Sequence, residues 1–272
     1  MASAPHTIVL IHGMWMTSLS WEHWAERYRG QGHEVIARSW VGLSDDPAEV
    51  RRDPSALHGL SIPDVIDNYE QIIRGLERPP IIIGHSFGGL FTQLLANRGL
   101  GSAAVALDTA APKGVLKLPL STLRASWPAL KNPFGKNGLA PLTHEQFHWC
   151  FTNALSEADS KAVYERYYIP GSARPFFQAG YGNLNPNAVT KVDYKNPARP
   201  PLLLVTGGVD RICPPSVNQA TFKKQRQAPS ATEHKEYPGR CHYPGQDGWE
   251  EVADFVLGWT VEHSSQPSGA LA

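Results

Sequence analysis

Cysteine is scarce in this 272-residue chain, with only Cys150, Cys213 and Cys241. An odd number without C-x-x-C spacing argues against a disulfide framework and predicts reduced thiols. An excess of either charge is missing too, since 25 Lys and Arg offset 25 Asp and Glu. No field then favours a polyanion, which sets aside nucleic acid and an anionic membrane face as partners. No apolar stretch reaches the length that spans a bilayer, and the opening MASAPHT has neither a basic start nor an apolar core. Internal repeats are lacking. Together these absences predict a soluble, unexported, cytoplasmic protein whose partner is a small neutral molecule; monomer and homodimer both stay open.

What is present is a rhythm of short apolar strands and helical patterns. Strands are expected over 7–11, 34–37, 81–83, 103–107 and 202–206, with a more polar one over 233–237. Between them, Ser20 is placed to cap a helix that Gly30 ends, and Ser61 followed by Pro63 to open another reaching Leu76. Further helices are expected over 87–97, 216–226 and 249–261. Strand, helix, strand in this order means right-handed crossovers and a doubly wound, mostly parallel sheet. The rhythm fails between Ala111 and Pro197, where helical patterns at 143–153 and 156–168 appear without a convincing strand. The expected organisation is a core of 1–111 and 198–272 with a helical cap inserted over 112–197. The tail 264–272, SSQPSGALA, is small and polar and is expected to be disordered.

One stretch carries chemistry. In IIIGHSFGGLF the serine at position 86 stands where a strand turns sharply into a helix, with Gly84 and Gly88 on either side. Such a turn forces Ser86 into a cramped backbone conformation that lifts its hydroxyl above the sheet, and the glycines let helix and strand pass closely. The helix N-terminus leaves the amide of Phe87 free to face a developing negative oxygen. Five-residue patterns recur by chance, so the strand before and the helix after are what give this one weight. The competing explanation is a tight structural turn that happens to use serine.

A serine hydroxyl needs a base, and the base needs a carboxylate to hold it. The segment LLLVTGGVDRICPP presents Asp210 after a strand, and EYPGRCHYPG presents His242 before the last helix. The chain order Ser86, Asp210, His242 suits an acyl-transfer triad on this architecture. Asp108, which also ends a strand, competes for the acid role and is assigned instead a structural hydrogen bond. Cys213 and Cys241 lie on the same two loops as Asp210 and His242. No ligand-pair spacing supports zinc there, and both are read as small packing residues.

With these residues in view the sequence resembles the α/β-hydrolase superfamily from Thr7 to about Glu262: His12-Gly13, Gly84-His85-Ser86-Phe87-Gly88, Asp210 and His242. The resemblance implies an α/β-hydrolase fold of about six strands, without the antiparallel hairpin that often opens it. It also implies an oxyanion hole made by the backbone amides of Met14 and Phe87, with His12 organising the loop. No metal or organic cofactor is implied. An Asp nucleophile, as in dehalogenases and epoxide hydrolases, is replaced here by Ser86. The Thr and Lys of hydroxynitrile lyases are replaced by Gly13 and Tyr243. What remains is hydrolysis of an ester or lactone through an acyl-enzyme.

The cap is rich in aromatic residues, and Trp127, Phe147, Phe151 and Tyr168, with Trp15 from the first loop, are the candidate pocket walls. That inventory favours a small apolar, aromatic or macrocyclic ester or lactone. A ligand-binding protein with slow turnover is the reading from a different class. Carbon-carbon hydrolase, perhydrolase and acyltransferase chemistry are variants the same triad could run.

Overall fold

A computed structural model describes residues 5–264 of the chain. Among these residues the strands are β1 (Thr7–Ile11), β2 (Glu34–Ala37), β3 (Ile81–His85), β4 (Ala103–Leu107), β5 (Leu139–Ala140), β6 (Gly171–Ser172), β7 (Leu202–Gly207) and β8 (Thr232–Tyr237). The α-helices are α1 (Glu22–Gly30), α2 (Pro47–Arg52), α3 (Ile62–Arg74), α4 (Phe87–Asn97), α5 (Leu120–Leu130), α6 (His144–Cys150), α7 (Glu157–Tyr167), α8 (Arg174–Gly180), α9 (Pro215–Gln225) and α10 (Trp249–Ser264).

Six strands form one sheet in the order β2-β1-β3-β4-β7-β8, with every neighbouring pair parallel. The near-continuous apolar runs of β1, β3 and β4 fit a sheet covered on both faces. Alternation divides those runs between two cores. Val9, Ile11 and Ile82 face the cluster containing α3 and α4 residues, while Ile8, Leu10, Ile81 and Ile83 face the cluster built with α1 and α10. β8 is the polar strand of the set because it lies at the edge. The chain leaves β1 for β2 on one side and returns to β3 on the other, so the order of strand addition reverses between β1 and β3. Ligands bind beyond the carboxyl ends of strands at such a reversal, and Ser86 follows β3 directly.

Local signals explain most boundaries. Ser61 and Asp64 form a reciprocal capping box that starts α3, with Pro63 in its first turn. The expected cap at Ser20 is not found. Thr17 instead caps a short 3-10 turn over Ser18–Trp21, and the Ser20 hydroxyl donates to the Thr17 carbonyl, so α1 begins only at Glu22.

Between β4 and β7 the chain forms α5 to α8 and a two-stranded antiparallel pair, β5 with β6. The pair departs from the expectation of no strand there, since two-residue strands are too short to show alternation. Most of the tail expected to be disordered, from residue 265 on, lies outside the described residues. Among those described, no helix is long and apolar enough to cross a membrane.

Candidate active site

The turn after β3 is strained in the way its sequence predicts. Ser86 has φ 57° and ψ −118°, a conformation that costs a non-glycine residue about 1–3 kcal/mol and persists only where its surroundings enforce it. The enforcement is visible in its hydrogen bonds. The Ser86 amide donates to the Leu107 carbonyl at 2.9 Å, and the Ser86 carbonyl accepts from the amides of Leu90 and Ala110, each at 3.1 Å. Close approach explains the flanking glycines. A Cβ on Gly84 would lie 2.1 Å from the Gly88 carbonyl oxygen, and one on Gly88 would lie 2.1 Å from the Ile11 carbonyl oxygen. The other non-glycine residues with positive φ are Trp15 and Asp108. All three therefore lie just past the carboxyl ends of β1, β3 and β4, so backbone strain among the described residues is concentrated around one point.

Asp210 and His242 meet at that end of the sheet. The Nδ1–H of His242 donates to Asp210 Oδ2 at 2.7 Å, with both side chains fully buried. The other carboxylate oxygen, Oδ1, accepts from the amides of Ile212 and Cys213 at 2.7 and 3.0 Å. Asp210 is thus fixed by its own loop and aimed by it. Placing the proton on Nδ1 leaves Nε2 of neutral His242 with an open lone pair, and Nε2 is buried without a hydrogen-bond partner among the described residues. The loop bearing His242 is braced by Gln246, which accepts from the Cys241 amide, and by Trp24, whose indole donates to the Pro244 carbonyl.

Burial alone would lower the affinity of His242 for a proton. The charge of Asp210, the hydrogen bond to it and the charge of Asp108 outweigh burial, and the pKa is raised above 6.5. Asp108 accepts a 2.6 Å hydrogen bond from the Gly207 amide through Oδ1. Burial and the charge of Asp210 push its own pKa up to about 7. Of the two carboxylates, Asp210 is the one on Nδ1 of the imidazole.

His85 and His12 support the site from beside it. His85 Nε2 donates to the His242 carbonyl at 2.8 Å, and the two rings lie 4.6 Å apart. Burial, the largest cause, with the nearby His242 charge, holds its pKa well below 6.5, so it stays neutral. His12 donates from Nδ1 to the Gly13 carbonyl, accepts at Nε2 from the Trp40 amide, and stacks on the Trp40 ring at 5.0 Å. These contacts fix the loop that carries Met14. No backbone hydrogen bond among the described residues occupies the amides of Met14 or Phe87. The role of His85 could not be seen in the sequence, because its partner carbonyl is 157 positions away.

Ligand atoms of His85, Asp108 and His242 lie within 4.8 Å of one another and form a conceivable metal-binding group. Competing bonds weaken that option. His85 Nε2, His242 Nδ1 and Asp108 Oδ1 are already committed to protein partners. Cys213 and Cys241 do not belong to the group; both are buried free thiols.

The candidate pocket residues separate. Phe151 packs edge-on against His242 at 4.8 Å. Phe147 stacks behind it, also at 4.8 Å, and Tyr168 lies a further layer out. Trp15 is buried, and its indole donates to the Ala140 carbonyl at 2.7 Å. Trp127 corrects the expectation. It is 63% exposed on α5 and lines a separate cavity between α5 and α6 whose lining does not include Ser86. The buried face of α5 is formed by Ala125 and Ala129, and the helical register leaves Trp127 off that face. Ser86 itself is only 3% exposed.

A family model described as the alpha/beta hydrolase family matches residues 8–255. Among solved structures, the chain is similar to polyneuridine aldehyde esterase, with 19% identity and a TM-score of 0.68 over 94% of this chain and 100% of that one. It is also similar to an extracellular alpha/beta-hydrolase from a Paenibacillus species, described as sharing structural and functional homology with tobacco salicylic acid binding protein 2. That match has 21% identity and a TM-score of 0.69 over 93% and 98% of the two chains. A pyrethroid hydrolase from Sphingobium faniae matches at 17% identity with a TM-score of 0.63, over 94% of this chain and 98% of that one. No curated protein matches the sequence.

Proposed function

The chain belongs to the alpha/beta hydrolase family, and on that premise we propose that it is a serine hydrolase acting on a carboxylic ester or lactone of a small apolar molecule. The observation that carries this reading is the strained Ser86 turn at the same sheet end as an imidazole whose Nδ1 is held by Asp210 and whose Nε2 is unpartnered. In this reading, His242 Nε2 takes the Ser86 proton as Oγ bonds to the substrate carbonyl carbon. The amides of Met14 and Phe87 hold the oxygen that becomes negative. The bond to the leaving oxygen then breaks, and that oxygen receives the proton from His242. Water, deprotonated by the same nitrogen, releases the acyl group and restores Ser86. No step calls on a cofactor. In this reading Phe151, packed on His242, is an aromatic wall with Phe147 and Tyr168 behind it, and Trp15 is a further wall.

The test is covalent labelling with a fluorophosphonate together with turnover of a panel of chromogenic esters of rising acyl length. Wild-type protein should label at Ser86 and hydrolyse some members of the panel, and Ser86→Ala should lose both while melting as a folded protein. A folded wild type that stays unlabelled would refute the proposal.

A further inference from the structure

A cavity of about 950 Å³ opens between α5, α6 and the turn that follows Asp210, a volume that suits a small organic ligand. Two guanidinium groups stand at its wall over a single indole. The Arg124 and Arg211 guanidinium carbons lie 3.9 and 5.2 Å from the Trp149 ring centroid. Neither arginine has an ion pair among the described residues. Among the described residues Arg211 donates only to the Trp149 carbonyl. Arg124 makes no side-chain hydrogen bond among the described residues and Arg211 commits only Nη1, so both guanidiniums keep N–H donors for a carboxylate. Two like charges beside one ring repel each other until an anion joins them. Glu145 also lines the cavity, exposed on α6 and paired with neither arginine.

Two further polar atoms at the same wall are unspent. His148 Nδ1 and Asn153 Oδ1 are buried without hydrogen-bond partners among the described residues. Thr143 and Gln146, also at the wall, are bonded to each other in the capping box of α6, and the apolar side is led by Leu123 and Trp127, which leave 40% and 63% of their surfaces uncovered there. The balanced total charge of the chain, which pointed to a neutral partner, conceals this local surplus of positive charge.

We propose that this cavity binds a small amphiphilic carboxylate, its anionic group held by Arg124 and Arg211 and its alkyl or aryl body laid on Leu123 and Trp127. The site stands apart from Ser86. It lies on the outer side of α6, the helix whose other residues, Phe147 and the following Phe151, seal His242.

Calorimetric titration with hexanoate, 1-hexanol and inorganic phosphate tests the site on the intact protein. Hexanoate should bind saturably, and hexanol and phosphate should each bind at least about tenfold more weakly. Arg124→Gln and Arg211→Gln should each weaken hexanoate about tenfold or more, while Ser86→Ala binds it as the wild type does. Arg124 is exposed, so its variant remains a valid probe even if the Arg211 variant folds poorly; melting curves report that. Absence of hexanoate binding up to about 10 mM, equal binding of hexanol or of phosphate, wild-type affinity in Arg124→Gln, or loss of binding in Ser86→Ala would each overturn the proposal. Because binding is read without turnover, failure here leaves the hydrolase reading intact, and failure of hydrolysis leaves this one intact.

Discussion

Asp210 divides its two oxygens between two tasks, one fixing its own loop and one facing the Nδ1–H of His242. Asp210→Asn would keep the size of the side chain but offer an amide that can leave His242 in the wrong tautomer, with Nε2 protonated and unable to accept. By the logic of such triads kcat should fall about 10⁴-fold. Asp108→Asn should cost far less, since its defined contact is with the Gly207 amide. Steady-state kinetics on both variants checks this, and a larger loss in Asp108→Asn would reassign the acid. The pH dependence has a definite sign. Only unprotonated His242 can act as base, and its pKa is raised above 6.5 by Asp210 and Asp108 against burial. kcat/KM should therefore fall as pH drops through a value above 6.5, with the inflection moving down in Asp210→Asn. A profile flat between about pH 5 and 8 would contradict the role.

Elements differ in how plainly the sequence announced them. α4 was readable at both ends because its start is set by the Ser86 turn and its glycines. α3 was readable because Ser61, Pro63 and Asp64 are all local signals. α2, α5 and α8 were not anticipated. α2 and α8 are only six and seven residues long, and α5 contains Pro128 in its interior, a residue that ordinarily argues against a helix. The site was legible to the same degree and for the same reason. Gly84, Ser86, Gly88, Asp210 and His242 are marked by strand ends and turns close by in the chain. Which aromatic residue reaches His242 was not marked. Phe147 and Phe151 are four residues apart and share one face, and only the tertiary seating of the end of α6 beside His242 decides that Phe151 makes the contact. The outward turn of Trp127 is a tertiary fact of the same kind.

At the scale of the whole molecule, the segment between β4 and β7 is tied to the sheet-bearing part around the site. Trp15 bonds to Ala140 and accepts from the Ile169 amide, and Arg51 donates to the Tyr168 carbonyl. On a third side, Glu22 at the start of α1 receives both the Arg166 fork and the Tyr167 hydroxyl. Ser86 and His242 are almost out of reach of solvent, so loosening one of these ties is expected to widen access to Ser86. Glu22 lies outside the proposed chemistry, yet its carboxylate closes one of the ties. Its partner Arg166 is 55% exposed, and solvent-exposed pairs of this kind contribute roughly 0.2–1 kcal/mol. Glu22→Ala should therefore barely lower the melting temperature but populate the open state up to about fivefold more. Fluorophosphonate labelling of Ser86, measured at a concentration where opening limits it, should accelerate by a similar factor while the inflection of the pH profile stays where it was. An unchanged labelling rate would show that the Glu22 tie does not govern access to Ser86.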